Sequence, residues 1–91
     1  MKLILDIGNT RIKWRMDGAL GDVTHIQDGW EAQLLAGWHG LVRPTAVFAG
    51  SVASESINQR VAECVSQCWP GQTLVWLRSQ AHCCGVRIQY A

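Results

Sequence analysis

The sequence is poor in charged residues, and the few that it has nearly cancel. Only 16% of its 91 residues are Asp, Glu, Lys or Arg, and the formal net charge is +1. Such a chain attracts neither nucleic acid nor an acidic membrane surface strongly. Basic residues also do not cluster around its five tryptophans, so these are better explained as core residues than as stacking platforms for bases. We therefore expect no nucleic acid and no membrane among its partners.

Long apolar segments, repeats and low-complexity segments are missing as well. No stretch approaches the roughly 20 apolar residues that a membrane-spanning helix needs, and Asp6 interrupts the N-terminal apolar segment that a secretory signal would require. Hydrophobic residues nevertheless make up 48% of the chain, which is enough for a packed core and does not fit a disordered protein. The length allows one small domain or part of a larger one, and we expect the protein in the cytoplasm.

The four cysteines do not have the spacing of a typical zinc site. Cys64 and Cys68 lie four residues apart in a predicted helix, and His82, Cys83 and Cys84 follow at a distance. Neither group has the ligand spacing of zinc ribbons or fingers. Thiols on the apolar stripe of a helix behave as small hydrophobic residues. We expect free thiols, with a metal site or a disulfide as the alternative.

The first part of the sequence predicts three antiparallel strands, at residues 2–7, 11–16 and 19–26. The first contains the apolar run Leu-Ile-Leu, which is typical of a strand buried on both faces. Asp17 and Gly18 form a two-residue hairpin signal between the second and third strands. In the second strand basic and apolar residues alternate, which predicts one exposed and one buried face: Arg11, Lys13 and Arg15 against Ile12, Trp14 and Met16.

Two amphipathic helices are predicted next. Asp28 and Glu31 have the spacing of a capping box at the start of the first helix, and Ser54 is the predicted N-cap of the second. The only two prolines of the sequence, Pro44 and Pro70, follow these helices and end them. Apolar residues recur at helical spacing in both: Trp30, Leu34, Trp38 and Leu41 in the first, and Ile57, Val61, Cys64, Val65 and Cys68 in the second.

The predicted order of elements defines an α/β fold. Short apolar strands are expected at residues 45–50 and 73–77, and the alternation at 86–90 predicts the start of another strand. Short connections and right-handed crossovers then favour a mixed five-stranded sheet of order 3-2-1-4-5 with helices on its faces. Ligands of such sheets bind at the carboxyl ends of the parallel strands, where Asp6 and Ser51 are expected.

The most informative segment is residues 6–13, Asp-Ile-Gly-Asn-Thr-Arg-Ile-Lys, at the end of the first strand. Its glycine tolerates backbone angles and a close approach that other residues resist, and its asparagine tolerates a left-handed turn. The amide N–H groups and the Thr10 hydroxyl of such a turn, with Lys13 nearby, can bind phosphate oxygens. Asp6 would repel phosphate unless Mg²⁺ lay between them, so the pattern indicates a metal–nucleotide site. An ordinary hairpin with a polar turn is the alternative.

This segment, extended to Leu-Asp-Ile-Gly-Asn-Thr-Arg-Ile-Lys-Trp at residues 5–14, resembles the start of type III pantothenate kinases, also known as Bvg accessory factor proteins. Ala-Gly-Ser-Val at residues 49–52, and Gly-Val-Arg at 85–87 with Tyr90, support the resemblance. It covers nearly all of this chain and about the first third of the family's usual length. It implies the ribonuclease H-like first domain of actin-like ATPases and sugar kinases, in which the first phosphate motif lies between strands one and two.

The resemblance implies ATP-dependent phosphorylation of pantothenate to 4'-phosphopantothenate, the first step of coenzyme A biosynthesis, with Mg²⁺ and a monovalent cation (K⁺ or NH₄⁺). Asp6 would hold the metal, and Lys13 would offset the charge of the phosphates. Tyr90 matches a position that lines the pantothenate pocket, with an inward-facing strand residue as the alternative, whereas Ile88 stands where the family usually has Asn. The residues expected to bind the nucleotide are Asp6, Ile7, Gly8, Asn9, Thr10, Arg11, Ile12 and Lys13.

The resemblance also implies that parts of the enzyme follow Ala91. These are the second domain and a Gly-x-Asp-Arg segment that supplies the catalytic base, the cation ligand and much of the substrate and dimer surface, so no catalytic residue is assigned within 1–91. We expect 1–91 to be an N-terminal nucleotide-binding domain, inactive by itself, of a protein that is a homodimer at full length. The alternatives are a non-catalytic nucleotide-binding regulatory or assembly module, and a structural fragment that dimerises through an exposed sheet edge.

Overall fold

A computed structural model of the chain describes residues 1–77. The predicted strand at 86–90, Tyr90, and the group of His82, Cys83 and Cys84 lie outside the described residues. The elements formed by residues 1–77 are β1 (Lys2–Ile7), β2 (Arg11–Met16), β3 (Ala19–Thr24), α1 (Trp30–Trp38), β4 (Ala46–Ser51), α2 (Glu55–Cys68) and β5 (Leu74–Leu77). The predicted bounds of the first two strands are confirmed, and those of the other three strands differ by at most two residues.

The five strands form one mixed sheet in the order β3-β2-β1-β4-β5. β2 pairs antiparallel with both β1 and β3, whereas β4 pairs parallel with both β1 and β5. The two antiparallel connections are short turns, and each parallel connection runs through one of the helices, as the geometry of parallel pairing requires. The predicted α/β class and strand order are therefore confirmed.

The two helices and the core lie on one face of the sheet. Residues alternate strictly along β1 and β2, with Leu5 and Ile12 buried and Ile4 and Lys13 exposed. The prediction that the first strand is buried on both faces was wrong, because no helix within residues 1–77 covers the side of Ile4. We call this second side the open face; it carries Ile4, Asp6, Lys13, Arg15 and Phe48. The core side holds Leu3, Leu5, Ile7, Ile12, Trp14, Met16, Val23, Trp30, Leu34, Trp38, Val47, Ala49, Val61, Cys64, Val65 and Trp69.

The indole of Trp14 fills a notch formed by two glycines. A Cβ on Gly21 of β3 would lie 2.8 Å from the Trp14 ring, and a Cβ on Gly37 of α1 would lie 3.2 Å from it. Real side chains do not approach an aromatic ring at the first distance, so Gly21 is required by packing. Gly37 lowers the intrinsic stability of α1, and the space it leaves for Trp14 explains its presence in the helix.

The two helices begin differently. The Ser54 hydroxyl accepts a hydrogen bond of 3.3 Å from the Ile57 N–H, which confirms Ser54 as the N-cap of α2. The predicted capping box of α1 was wrong: the N-cap is Gly29, at φ 86°, and no side chain caps the helix. Asp28 lies one residue too early to act as N-cap, because the left-handed Gly29 introduces the change of chain direction.

Candidate functional site

The β1–β2 turn, residues 8–10, is closed by a backbone hydrogen bond. The Gly8 N–H donates to the Arg11 carbonyl at 2.8 Å, and a Cβ on Gly8 would lie 3.3 Å from that same oxygen. Neither Gly8 nor Asn9 has positive φ, so the turn does not use the left-handed conformation that asparagine tolerates. Glycine is favoured at position 8 because the chain doubles back tightly, and not because the backbone is left-handed.

Asp6 and Lys13 face each other across β1 and β2 on the open face. They are directly paired in the antiparallel register, and both side chains are exposed. On the other side of Asp6 the paired residue is Gly50 of β4, which has open space where a Cβ would be. No side chain within residues 1–77 forms an ion pair with Asp6 at salt-bridge distance. Among the described residues, the carboxylate is thus exposed on the open face and has no charged partner.

A shallow pocket of about 310 Å³ lies against the β1–β2 turn. Its lining contains six of the eight residues that the sequence predicts to bind the nucleotide: Asp6, Gly8, Asn9, Thr10, Arg11 and Lys13. The side chains of the other two, Ile7 and Ile12, are fully buried in the core on the opposite face. Only the backbone of these two residues could therefore contact a ligand. Their side chains pack in the core and hold β1 and β2 in place.

A larger cleft of about 800 Å³ continues from this pocket along the open face. The two share Asp6 and Lys13, and the cleft extends over the apolar side chains of Ile4 and Leu20. Leu20 is 74% exposed. A turn-lined pocket with charged and polar side chains thus opens directly onto a wider cleft that also has apolar side chains in its lining, which is a common arrangement for sites that bind a charged group together with a larger organic body.

Arg11 is turned away from Asp6. Its guanidinium pairs with Asp22 of β3 at 3.2 Å, and both side chains are about half exposed. An ion pair of this kind stabilises a protein by roughly 0–1 kcal/mol, so its main effect is to orient the two groups. Lys13 therefore remains the basic side chain beside Asp6, as the sequence predicted from spacing.

His25, which the sequence did not single out, holds the β1–β2 turn from the side of β3. Its ring Nε2 lies 2.8 Å from the Gly8 carbonyl oxygen, and its backbone N–H donates to the Thr10 carbonyl at 2.9 Å. Since a carbonyl accepts only, Nε2 must carry a proton. The one signal in the sequence is indirect: the register of β2 with β3 brings the residue after Thr24 next to Thr10.

Ser51 lies at the same end of the sheet as Asp6, as predicted. It is paired with Ile7, whose carbonyl accepts a hydrogen bond from the Val52 N–H. The Ser51 hydroxyl donates to Asn58 of α2 and accepts from the Ala53 N–H at 3.0 Å. The hydroxyl is thus used on both sides, to join β4 to α2 through Asn58 and to fix the connection between them through Ala53, and Ser51 acts as a structural neighbour of the site.

Cys64 and Cys68 form no disulfide within the described residues. Burial, helped by the nearby carboxylates of Glu31 and Glu63, raises the pKa of Cys64 to about 11. Burial also raises the pKa of Cys68. Both thiols are protonated at neutral pH and are poor nucleophiles and poor metal ligands. Within residues 1–77, no three His, Cys, Asp or Glu side chains are grouped so that they could hold a metal ion.

The fold and the position of the pocket define a class of protein. The sheet order, with a polar turn between its first two strands and an aspartate near the end of β1, is consistent with the N-terminal domain of actin-like ATPases. Among residues 1–77, no helix has the length and apolar character needed to cross a membrane. No protein-family model matches the sequence.

Curated relatives narrow this class. A type III pantothenate kinase of Dichelobacter nodosus is 36% identical over 73 residues, covering 76% of this chain and 29% of the relative. Type III pantothenate kinases of Paraburkholderia xenovorans and Paraburkholderia phymatum are 34% and 28% identical, and each match covers 97% of this chain. The chain spans about a third of the length of the curated relatives it matches. It belongs, as an N-terminal region, to the type III pantothenate kinase family.

Proposed function

We propose that the chain is the N-terminal nucleotide-binding domain of an enzyme that transfers a phosphoryl group from ATP to pantothenate. The product would be 4'-phosphopantothenate, and the reaction would be the first step of coenzyme A biosynthesis. One observation carries the proposal: Asp6, exposed and without an ion-pair partner among residues 1–77, lies beside Lys13 near the end of β1, next to a pocket lined by the β1–β2 turn. The names of the relatives support the substrate.

The residues of the pocket suit the triphosphate of ATP with Mg²⁺. Mg²⁺ is usually bound by one or two carboxylates together with phosphate oxygens and several waters. A single free carboxylate, Asp6, fits that requirement better than a closed cluster of protein ligands would. Asp6 would hold the metal, which when bound would neutralise negative charge on the phosphates. The chain's own residues would bind the phosphates: turn amides and the Thr10 hydroxyl as donors, and Lys13 as the compensating charge.

The other components of the reaction are proposed from the family alone. The monovalent cation, the catalytic base and the homodimer surface are not assigned to any of residues 1–77. Tyr90, proposed to line the pantothenate pocket, lies outside the described residues. Phosphoryl transfer depends on holding both reactants in line between positioned groups. We therefore expect the 91-residue chain alone to bind nucleotide without turning it over.

Isothermal titration of the 91-residue chain with Mg²⁺–ATP tests the binding site. Asp6→Asn, which removes the charge and keeps the size of the side chain, should weaken binding about tenfold or more. Asp17→Asn is the matched control, because Asp17 lies in the β2–β3 turn at φ 55°, a conformation that asparagine also adopts. Absence of binding by the unmodified chain, or equal affinity of the Asp6→Asn variant, would refute the site.

Lys13→Met tests the compensating charge in the same titration. Methionine keeps the length of the apolar part of the side chain and removes the ammonium group. The control is Lys2→Met: Lys2 is also an exposed lysine of the open face, but its ammonium lies 5.9 Å from the centre of the Phe48 ring at the other end of β1. We expect weaker binding for Lys13→Met and an unchanged affinity for Lys2→Met.

The second candidate is a non-catalytic nucleotide-binding module of the Bvg accessory factor type, which would use the same pocket. Its basis is that the pocket is built entirely by residues of β1, β2 and the turn between them. The two candidates separate in a protein of the relatives' full length: release of ADP that depends on pantothenate indicates the kinase. Binding of Mg²⁺–ATP with no pantothenate-dependent ADP release indicates the module.

A further inference from the structure

His25 fixes the orientation of the β1–β2 turn through two of its carbonyl groups. The ring Nε2 holds the Gly8 oxygen at 2.8 Å, and the backbone N–H holds the Thr10 oxygen at 2.9 Å. His25, which directly follows β3, thus orients two peptide groups of the turn. We propose that His25 is a positioning residue of the phosphate site, which keeps the Asn9 N–H directed toward bound phosphate. This inference rests on the function proposed above.

Because the peptide group is planar, the contact of His25 with the Gly8 carbonyl also fixes the direction of the Asn9 N–H. In a trans peptide the C=O and the following N–H point to opposite sides, and none of the described peptide bonds is cis. Because the Gly8 carbonyl points at the His25 ring, the Asn9 N–H points away from it. Asn9 belongs to the lining of the pocket that also contains Asp6 and Lys13. Phosphate binding by backbone amides requires such N–H groups to be oriented before the ligand arrives.

The His25 ring is itself held in place by packing. It is partly buried and meets Trp30 edge to face, with the ring centres 6.1 Å apart and an interplanar angle of 63°. Trp30 is 2% exposed, and the Arg60 guanidinium lies 5.4 Å from the centre of its ring. Arg60 also pairs with Glu31. The turn is therefore braced, through His25 and Trp30, against both helices.

Titration of the 91-residue chain with inorganic triphosphate and Mg²⁺ tests the role of His25. His25→Phe keeps an aromatic ring against Trp30 but removes the donor, and should weaken triphosphate binding about tenfold. His25→Asn, whose donor is too short to reach Gly8, should weaken it similarly and replaces one polar side chain with another. His25→Gln places an amide N–H close to the position of Nε2, and should restore the affinity to within about threefold of the unmodified chain. His39→Phe, at an exposed position after α1, is the matched control and should have no effect.

Amide-resolved NMR separates positioning from a purely structural role. In the unmodified chain and in His25→Gln, the Asn9 amide resonance should shift when triphosphate is added. In His25→Asn that shift should be lost, while the resonances of α2 stay unchanged and show that the fold is intact. A stability loss with unchanged triphosphate affinity in His25→Asn and His25→Phe would overturn the inference.

Failure of the inference is distinguishable from failure of the proposed function. If the unmodified chain binds triphosphate and Asp6→Asn does not, but all His25 variants bind normally, only the positioning role is wrong. If the unmodified chain does not bind Mg²⁺–triphosphate at all, the phosphate site is wrong, and the role of His25 in it is wrong as well.

Discussion

At the scale of single residues, the pocket is lined by residues 6–13, but the turn within it is oriented by a residue distant in sequence, His25. Asp6 and Lys13 could be predicted as a pair, because an apolar strand, a polar turn and a second strand bring them to the same end of the sheet. His25 could not, since its contact with Gly8 depends on the register of β2 with β3, which places residue 25 beside residue 10. A histidine in a predicted strand or loop has no local pattern that marks such a contact.

The notch around Trp14 leads to a prediction about stability. Gly21→Ala places a methyl group at 2.8 Å from the Trp14 ring, so the indole or β3 must shift. We expect a loss of about 1–3 kcal/mol in the free energy of unfolding, the usual range for overpacking in a core. Gly40→Ala is the matched control, because nothing lies within 4 Å of the added Cβ there. Chemical denaturation of both variants measures the difference, and equal stabilities would contradict the packing argument.

Cys64 leads to a prediction about pH. Burial and the two nearby carboxylates raise its pKa from 9.0 to about 11 in the folded state. The protonated thiol is therefore favoured by folding, and this contribution is fully present below pH 9 and is lost as the pH rises toward 11. We expect the unfolding free energy to fall over this interval, and to fall less in Cys64→Ala. Parallel pH profiles for the two proteins would show that Cys64 has no such role.

At the scale of helices and strands, periodicity predicted the elements well and their ends less well. β1 and β2 were predicted at their observed bounds because polar turns and strict alternation delimit them. The start of α1 was wrong because the spacing of Asp28 and Glu31 satisfies the capping-box pattern one residue before the true N-cap, Gly29. Burial of β1 was also wrong, since a run of three apolar residues does not reveal whether a second layer covers the strand.

The helix starts can be compared directly by mutation. Ser54→Ala removes the hydroxyl that accepts the Ile57 N–H, and should cost about 1 kcal/mol of stability. Asp28→Ala should change stability much less, because no side chain caps α1. The two variants remove a similar polar group ahead of each helix, so each is the control for the other. Thermal or urea unfolding that shows the larger loss for Asp28→Ala would contradict the assigned caps.

At the scale of the whole molecule, binding at the pocket should stabilise the entire domain, because β1 and β2 occupy the middle of the sheet. A ligand at 100 times its dissociation constant adds about 2.7 kcal/mol to the free energy of unfolding. In a domain of this size, about 1 kcal/mol shifts the thermal midpoint by roughly 4–8 °C. We therefore expect Mg²⁺–ATP at that concentration to raise the midpoint by about 10–20 °C, measured by calorimetry.

The same calorimetric measurement has an internal control. Asp6→Asn should have nearly the same midpoint as the unmodified chain without ligand, because the Asp6 side chain is exposed and unpaired within the described residues. With Mg²⁺–ATP present, its midpoint should rise much less. A ligand-induced rise of equal size in both proteins would show that the nucleotide binds elsewhere.

The notch of Gly21 and Gly37 has a consequence on the other side of the sheet. If β2 slid by two residues along β3, every side chain would stay on its face of the sheet. The Trp14 indole would then lie opposite Ala19 or Val23, whose side chains fill the space that Gly21 leaves open. The notch thus accepts the indole at one alignment of the strands only, and at that alignment Lys13 of β2 is paired with Asp6 of β1 in the strand register. The packing of one core side chain, Trp14, thereby determines which acidic and basic residues are paired on the open face.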